Sequence, residues 1–161
     1  MTTTQNVNIG STNLLVSLLR STATGNLGFQ VTWAVLRIGA SLLMIHNGLD
    51  KLADVQGFAT GVVATIGLPY PVFFTYCAAY TELFGSILLA LGLFTRVNAA
   101  FLLLTMFVAV YFHLKADGFK IPPLETASLY GTIFLFFCVN GGGAFSLDAG
   151  LVRWLMQQKD G

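Results

Sequence analysis

Arg37 and Glu82 carry the strongest chemical signal in this chain, because each lies inside a stretch otherwise long and apolar enough to cross a bilayer. A charge in hydrocarbon costs roughly 2.5–3.5 kcal/mol on insertion scales. Two opposite charges on neighbouring spans therefore predict a partnered pair inside a helical bundle. Such a pair either fixes helix register or lines a path for a substrate or a proton. At 1.5 Å per residue, Arg37 falls about 9 Å into its span and Glu82 roughly 16 Å in from the same side. The long arginine side chain can bridge that gap. Gly85 and Ser86 share the helical face of Glu82, and small residues there let a neighbouring helix approach closely.

A second set of polar residues gathers at the other end of the same spans. The first span closes on His46-Asn47-Gly48-Leu49-Asp50-Lys51, His113 ends the third and Glu125 opens the fourth. Gly48 and Lys51 share a face with Arg37, whereas His46 turns to the opposite face and meets Asp50 at i+4. His46, His113, Glu125 and Asp50 could meet at one surface, and two histidines with a carboxylate are zinc or iron chemistry. The spacing offers neither H-x-x-x-H nor E-x-x-H, so no metal site is assigned. A haem held between His46 and His113 is equally unsupported by spacing. A polar mouth with aromatic walls could instead hold a quinone headgroup, with Phe73, Phe74, Tyr76, Tyr80, Phe112 and Tyr130 available. Otherwise these aromatics are packing and lipid-facing residues. Cys77 and Cys138 lie in different spans, with no C-x-x-C. Their depths differ by roughly 14 Å, beyond disulfide reach, so both read as apolar packing residues.

The elements that must position these residues are transmembrane helices. Hydrophobic residues make up 55% of the 161 residues and charged residues only 9%, against about 25% charged in soluble domains. The net charge of +1 provides no basic stripe for nucleic acid. Four segments, residues 31–49, 72–93, 97–114 and 124–140, approach the roughly 17–25 residues that a span requires. Helices are expected because lipid offers no partner for backbone groups. The sequence Gly92-Leu93-Phe94-Thr95-Arg96 predicts a tight turn, and Pro122-Pro123 suits the first turn of the fourth span. Between spans one and two, Val55, Phe58, Ala59, Val62, Val63 and Ile66 follow helical spacing until Gly67 and Pro69 stop it. That helix is too short to span and is expected to lie at the interface or cap the bundle. Leu14, Leu15, Leu18 and Leu19 predict a short amphipathic surface helix rather than a secretory signal. Ser146-Leu147-Asp148 reads as the cap of a final short helix, with Trp154 at headgroup level.

The expected organisation is therefore an N-terminal tail over residues 1–30, a four-span unit over 31–140, and a glycine-rich turn with an interfacial helix over 141–161. Four spans put both termini on one side, with Arg20, Arg96, Arg153 and Lys159 there against Lys51, Lys115 and Lys120 opposite. This bias favours cytoplasmic termini.

Taken in order, these residues resemble the DoxX family of small four-span membrane proteins over about residues 30–150. The resemblance rests on Arg37, His46-x-Gly48-x-x-Lys51, Leu68-Pro69, Glu82-x-x-Gly85, Gly92-Leu93-x-Thr95-Arg96 and Gly142-Gly143-x-x-Ser146-Leu147-Asp148. The chain departs from the pattern at His46-Asn47-Gly48, where members often read His-Gly, and in its closing glycines, which commonly include a proline. The resemblance implies a membrane protein associated with redox assemblies: some relatives are subunits of thiosulfate:quinone oxidoreductase, and others link oxidant defence to thiols. The wider superfamily is similar to membrane proteins of quinone and vitamin K chemistry. Relatives that exchange disulfides carry cysteine pairs, which this chain lacks.

The expectation is an all-α, integral-membrane four-helix bundle with a short amphipathic helix between spans one and two. It would serve as a subunit of a membrane redox assembly alongside other membrane subunits. Arg37, His46, Lys51 and Glu82 would frame a polar cavity, with His113 and Glu125 as a secondary surface cluster. Arg37 and Lys51 would favour a quinone or a sulfur oxyanion, and Glu82 would hold Arg37 or relay a proton. No residue is assigned a catalytic role. The rival readings are a structural or assembly subunit without chemistry, and a small transporter.

Overall fold

The computed structural model describes Leu14, residues 16–22 and residues 25–158. Its elements are α1 (Leu27–Ala53), α2 (Val55–Phe58), a π-helical turn (Ala59–Val63), α3 (Pro71–Leu91), α4 (Thr95–Ala116), α5 (Ile121–Asn140) and α6 (Leu147–Gln157). The four helices α1, α3, α4 and α5 are long and apolar enough to cross a membrane. They form the expected all-α bundle.

Each boundary has a local cause. Asn26 caps α1 by accepting the Phe29 N–H at 3.0 Å. Pro71 opens α3, Gly92 ends it at φ 69°, and Ile121-Pro122-Pro123 starts α5. The turn into α4 carries Phe94 at φ 46°, a left-handed conformation that is costly for a bulky residue. Ser146 caps α6 by accepting the Ala149 N–H at 3.2 Å. The segment after α1 differs from the single amphipathic helix expected there. It makes one α-helical turn and then widens, with the Ala64 N–H bonded to the Ala59 carbonyl. Thr60 Oγ1, bonded to the Gln56 carbonyl at 2.9 Å, draws on the same ladder.

In the bundle α1 packs mainly along α3, and α4 along α5; α4 meets α3 less extensively, and α5 touches α1 lightly. Trp33, Met44, Leu89, Leu102, Phe134 and Phe137 form the buried core. Cohesion between such helices comes from close packing rather than from escape from water. Gly48 marks a close crossing: a Cβ there would stand 2.9 Å from the Ala79 carbonyl oxygen and the Leu83 nitrogen. That contact sets the antiparallel register of α1 against α3.

The turn between α3 and α4, residues 141–146 and α6 share one end of the bundle. Leu14 and residues 16–19 are helical, and Leu19 is buried while Leu14 and Leu18 face outward. Leu15 and Lys159, which entered the amphipathic and charge-bias readings, lie outside the described residues. Trp154 is exposed on α6.

Candidate functional site

The register at Gly48 decides where the intramembrane charges go. With Gly48 opposite Ala79 and Leu83, Lys51 lies one turn beyond the crossing and Glu82 just on its other side. Side chains on a helix lean toward its N-terminus, so on antiparallel α1 and α3 these two lean toward each other. Lys51 Nζ stands 2.5 Å from Glu82 Oε2, with side-chain exposures of 15% and 3%. Lys51 Nζ also donates to the Asn47 carbonyl at 3.3 Å and lies 5.0 Å from the centre of the Phe58 ring. The cation is thus held by a carboxylate, a carbonyl and an aromatic face.

The expected Arg37–Glu82 pair does not form. Arg37 lies 11 residues before Gly48, which brings it level with Gly92 at the far end of α3. A Cβ on Gly92 would stand 2.9 Å from the Arg37 Cζ. The guanidinium leans away from Glu82 and grips the turn after α5, donating from Nη1 to the Gly142 carbonyl and from Nη2 to the Phe145 carbonyl at 2.7 Å. Gln30 and Trp33, on the same face of α1, complete the grip. Gln30 Oε1 accepts the Ala144 N–H at 2.8 Å, and Trp33 Nε1 donates to the Gly141 carbonyl at 3.2 Å. Buried Asp148 supports the same end. Its oxygens accept the Phe94 and Thr95 N–H groups at 2.7 and 2.8 Å. These are otherwise orphan donors at the start of α4.

Lys51 and Glu82 border a cavity of about 650 Å³ between α1, α3, α4, α5 and the segment after α1, within the usual range for small-ligand sites. Met44, Phe74, Met106, Ala109 and Tyr130 give it apolar walls, while Phe58, Val62, Val63 and Ile66 roof it. Asn47, Thr81, Thr105 and Thr126 add polar atoms, and His113 lines its edge. Arg37 and His46 do not line it. His46 Nε2 lies 3.1 Å from Asp50 Oδ2 on an exposed surface. His113 Nδ1 lies 3.2 Å from Asp117 Oδ2, and Glu125 is exposed. The two histidines are therefore each engaged with their own i+4 carboxylate. Among the described residues no group of three or more His, Cys, Asp or Glu side chains is arranged to hold a metal. Cys77 borders the cavity as a free thiol, and Cys138 is a free thiol packed against the core.

The Lys51 interaction with Phe58 and the Gln30–Trp33–Arg37 grip were not found from sequence. The i, i+3, i+7 spacing of Gln30, Trp33 and Arg37 was the available signal for the grip.

A sequence profile of the DoxX family matches residues 32–114. An uncharacterized protein of Haemophilus influenzae is 37% identical over 120 residues, covering 71% of this chain and 87% of that protein. The inner membrane protein YphA of Escherichia coli is 32% identical over 122 residues, covering 71% and 86%. CatD of Bacillus subtilis, whose name assigns it provisionally as an oxidoreductase, is 31% identical over 85 residues, covering 53% of this chain and 61% of CatD. No solved structure matches the chain significantly.

Proposed function

The chain belongs to the DoxX family and is an integral membrane protein with four spans, and from that premise we propose that it is the quinone-binding membrane subunit of a redox assembly. The observation that carries this reading is the Lys51–Glu82 pair bordering a largely apolar cavity of about 650 Å³. An apolar wall with a few convergent polar groups suits an amphiphile whose one polar end bears carbonyl oxygens. A small hydrated oxyanion would lose its water without enough donors to replace it.

In this reading the ring of the ligand sits between the roof at Phe58 and the walls at Phe74 and Tyr130. Lys51 donates a hydrogen bond to a carbonyl oxygen while Glu82 keeps the ammonium in place. Glu82 is also the nearest carboxylate able to exchange a proton with that oxygen when a partner subunit moves electrons. The provisional oxidoreductase name of CatD is consistent with such a role. Arg37, Asp148 and the glycine-rich turn serve the fold, and His46, His113 and Glu125 lie outside the head-binding position.

The test is purification from native membranes in mild detergent, followed by extraction and mass spectrometry of bound lipids and co-migrating proteins. The proposal expects a quinone near one per chain together with a redox enzyme. A chain that carries phospholipid alone and no redox partner contradicts it.

A further inference from the structure

The cavity opens sideways. On α4, Phe101 and Leu104 both line it and are 56% and 58% exposed. Leu104 lies nine residues from the start of a 22-residue span, which places it near mid-depth of the bilayer. On α3, Cys77 lines the cavity and is exposed too. Residues that face the cavity and the outside at once, on two adjacent spans, mark a gap in the wall rather than a closed chamber. The gap falls on the α3–α4 seam, which these residues flank; α3 and α4 pack less extensively than α1 with α3 or α4 with α5, and α1 meets α5 more lightly still. At the aqueous end the route is covered by the apolar roof of Phe58, Val62 and Ile66. A second apolar depression of about 240 Å³ continues from the cavity, sharing Ile66, Leu68 and Val108 with it and adding Phe107 and Tyr111 on α4.

We propose that the α3–α4 seam is a lateral portal through which a long-chain amphiphile enters from the hydrocarbon phase, headgroup first, leaving its tail along α4 in the bilayer. This rests on the quinone reading of the same cavity and adds the side from which the ligand arrives and the class to which it belongs. A tail that stays in an apolar groove exchanges one apolar environment for another, so it costs little to leave outside. The headgroup alone makes the polar contacts with Lys51 and Glu82.

Route of access is a kinetic property, so the test is a rate measurement. The full chain carrying a Phe74→Trp reporter in the cavity wall is placed in lipid nanodiscs and mixed with a decyl-chain quinone, and quenching is followed by stopped flow. Phe101→Ala widens the seam and is expected to speed both association and dissociation, association by about tenfold, a barrier change of roughly 1.4 kcal/mol. Cys77→Phe narrows it and is expected to slow both. Both positions are exposed, so the fold tolerates them. Val62→Ala, which thins the aqueous-side roof and lines only the main cavity, should change the rates less than Phe101→Ala does. Rates that follow Val62→Ala and ignore both seam variants overturn the portal while leaving quinone binding intact. Absence of quenching with the reporter protein, and of quinone co-purifying with the unmodified chain, overturns both.

Discussion

Lys51 Nζ and Glu82 Oε2 meet at 2.5 Å across the α1–α3 crossing, and the carboxylate is almost fully shielded. The two residues lie 31 positions apart, and Gly48 is what brings them within reach. A glycine at the crossing, a lysine one turn beyond it and a glutamate leaning back form one geometric unit.

Removing one member of that pair leaves the other charge buried and unpaired. Lys51→Met or Glu82→Leu alone is expected to cost about 3–5 kcal/mol, whereas the double apolar variant recovers most of the loss. Equilibrium unfolding in mixed micelles measures this. A double variant no more stable than the singles would show that the pair is not coupled.

Gly48→Ala places a methyl group against the Ala79 carbonyl and the Leu83 nitrogen, and these are backbone atoms that cannot swing aside. The expected loss is about 1–3 kcal/mol from overpacking, with ligand binding weakened as Lys51 is carried away from Glu82. A variant with unchanged stability and binding would place the critical contact elsewhere.

Arg37→Met strips the donors from the Gly142 and Phe145 carbonyls, at about 1–3 kcal/mol for groups left unpaired in a buried setting. Arg37→Lys should restore little, since an ammonium lacks the fork that reaches two carbonyls. The folded fraction of either variant should still bind quinone with wild-type affinity. Loss of binding in well-folded Arg37→Met would return Arg37 to the ligand site.

Asp148→Ala removes both acceptors at the start of α4. One lost cap costs about 0.5–2 kcal/mol, and hydrogen exchange should rise at Phe94 and Thr95 while the Lys51 end stays protected. Uniform loss of protection along α4 would argue that Asp148 holds more than the turn.

The sequence made the spans, their polarity and the tight turns legible, because these depend on local composition, on glycine and proline, and on the cost of charge in lipid. Helix ends shifted by a few residues where apolar periodicity faded, as at Leu27 and Ala53. The partner of Glu82 was not legible. Depth along each span put Arg37 within reach, but pairing depends on the register of α1 against α3. That register comes from a backbone contact at Gly48 that no local pattern announces. Asp148 was visible as part of a helix cap, yet its bonds reach 53 and 54 residues back to α4. The widened turn after α2 escaped for another reason: its apolar spacing suits a regular helix, and the change lies in the backbone ladder.

The most direct test of the quinone site is equilibrium titration of a decyl-chain quinone into the full chain in nanodiscs, comparing wild type with the double apolar variant of Lys51 and Glu82. Binding is expected to saturate at one site per chain and to weaken at least about tenfold in the double variant, the effect of losing roughly 1.4 kcal/mol of headgroup contact. Equal binding by wild type and a well-folded double variant would contradict it, leaving Lys51 and Glu82 as a brace between helices.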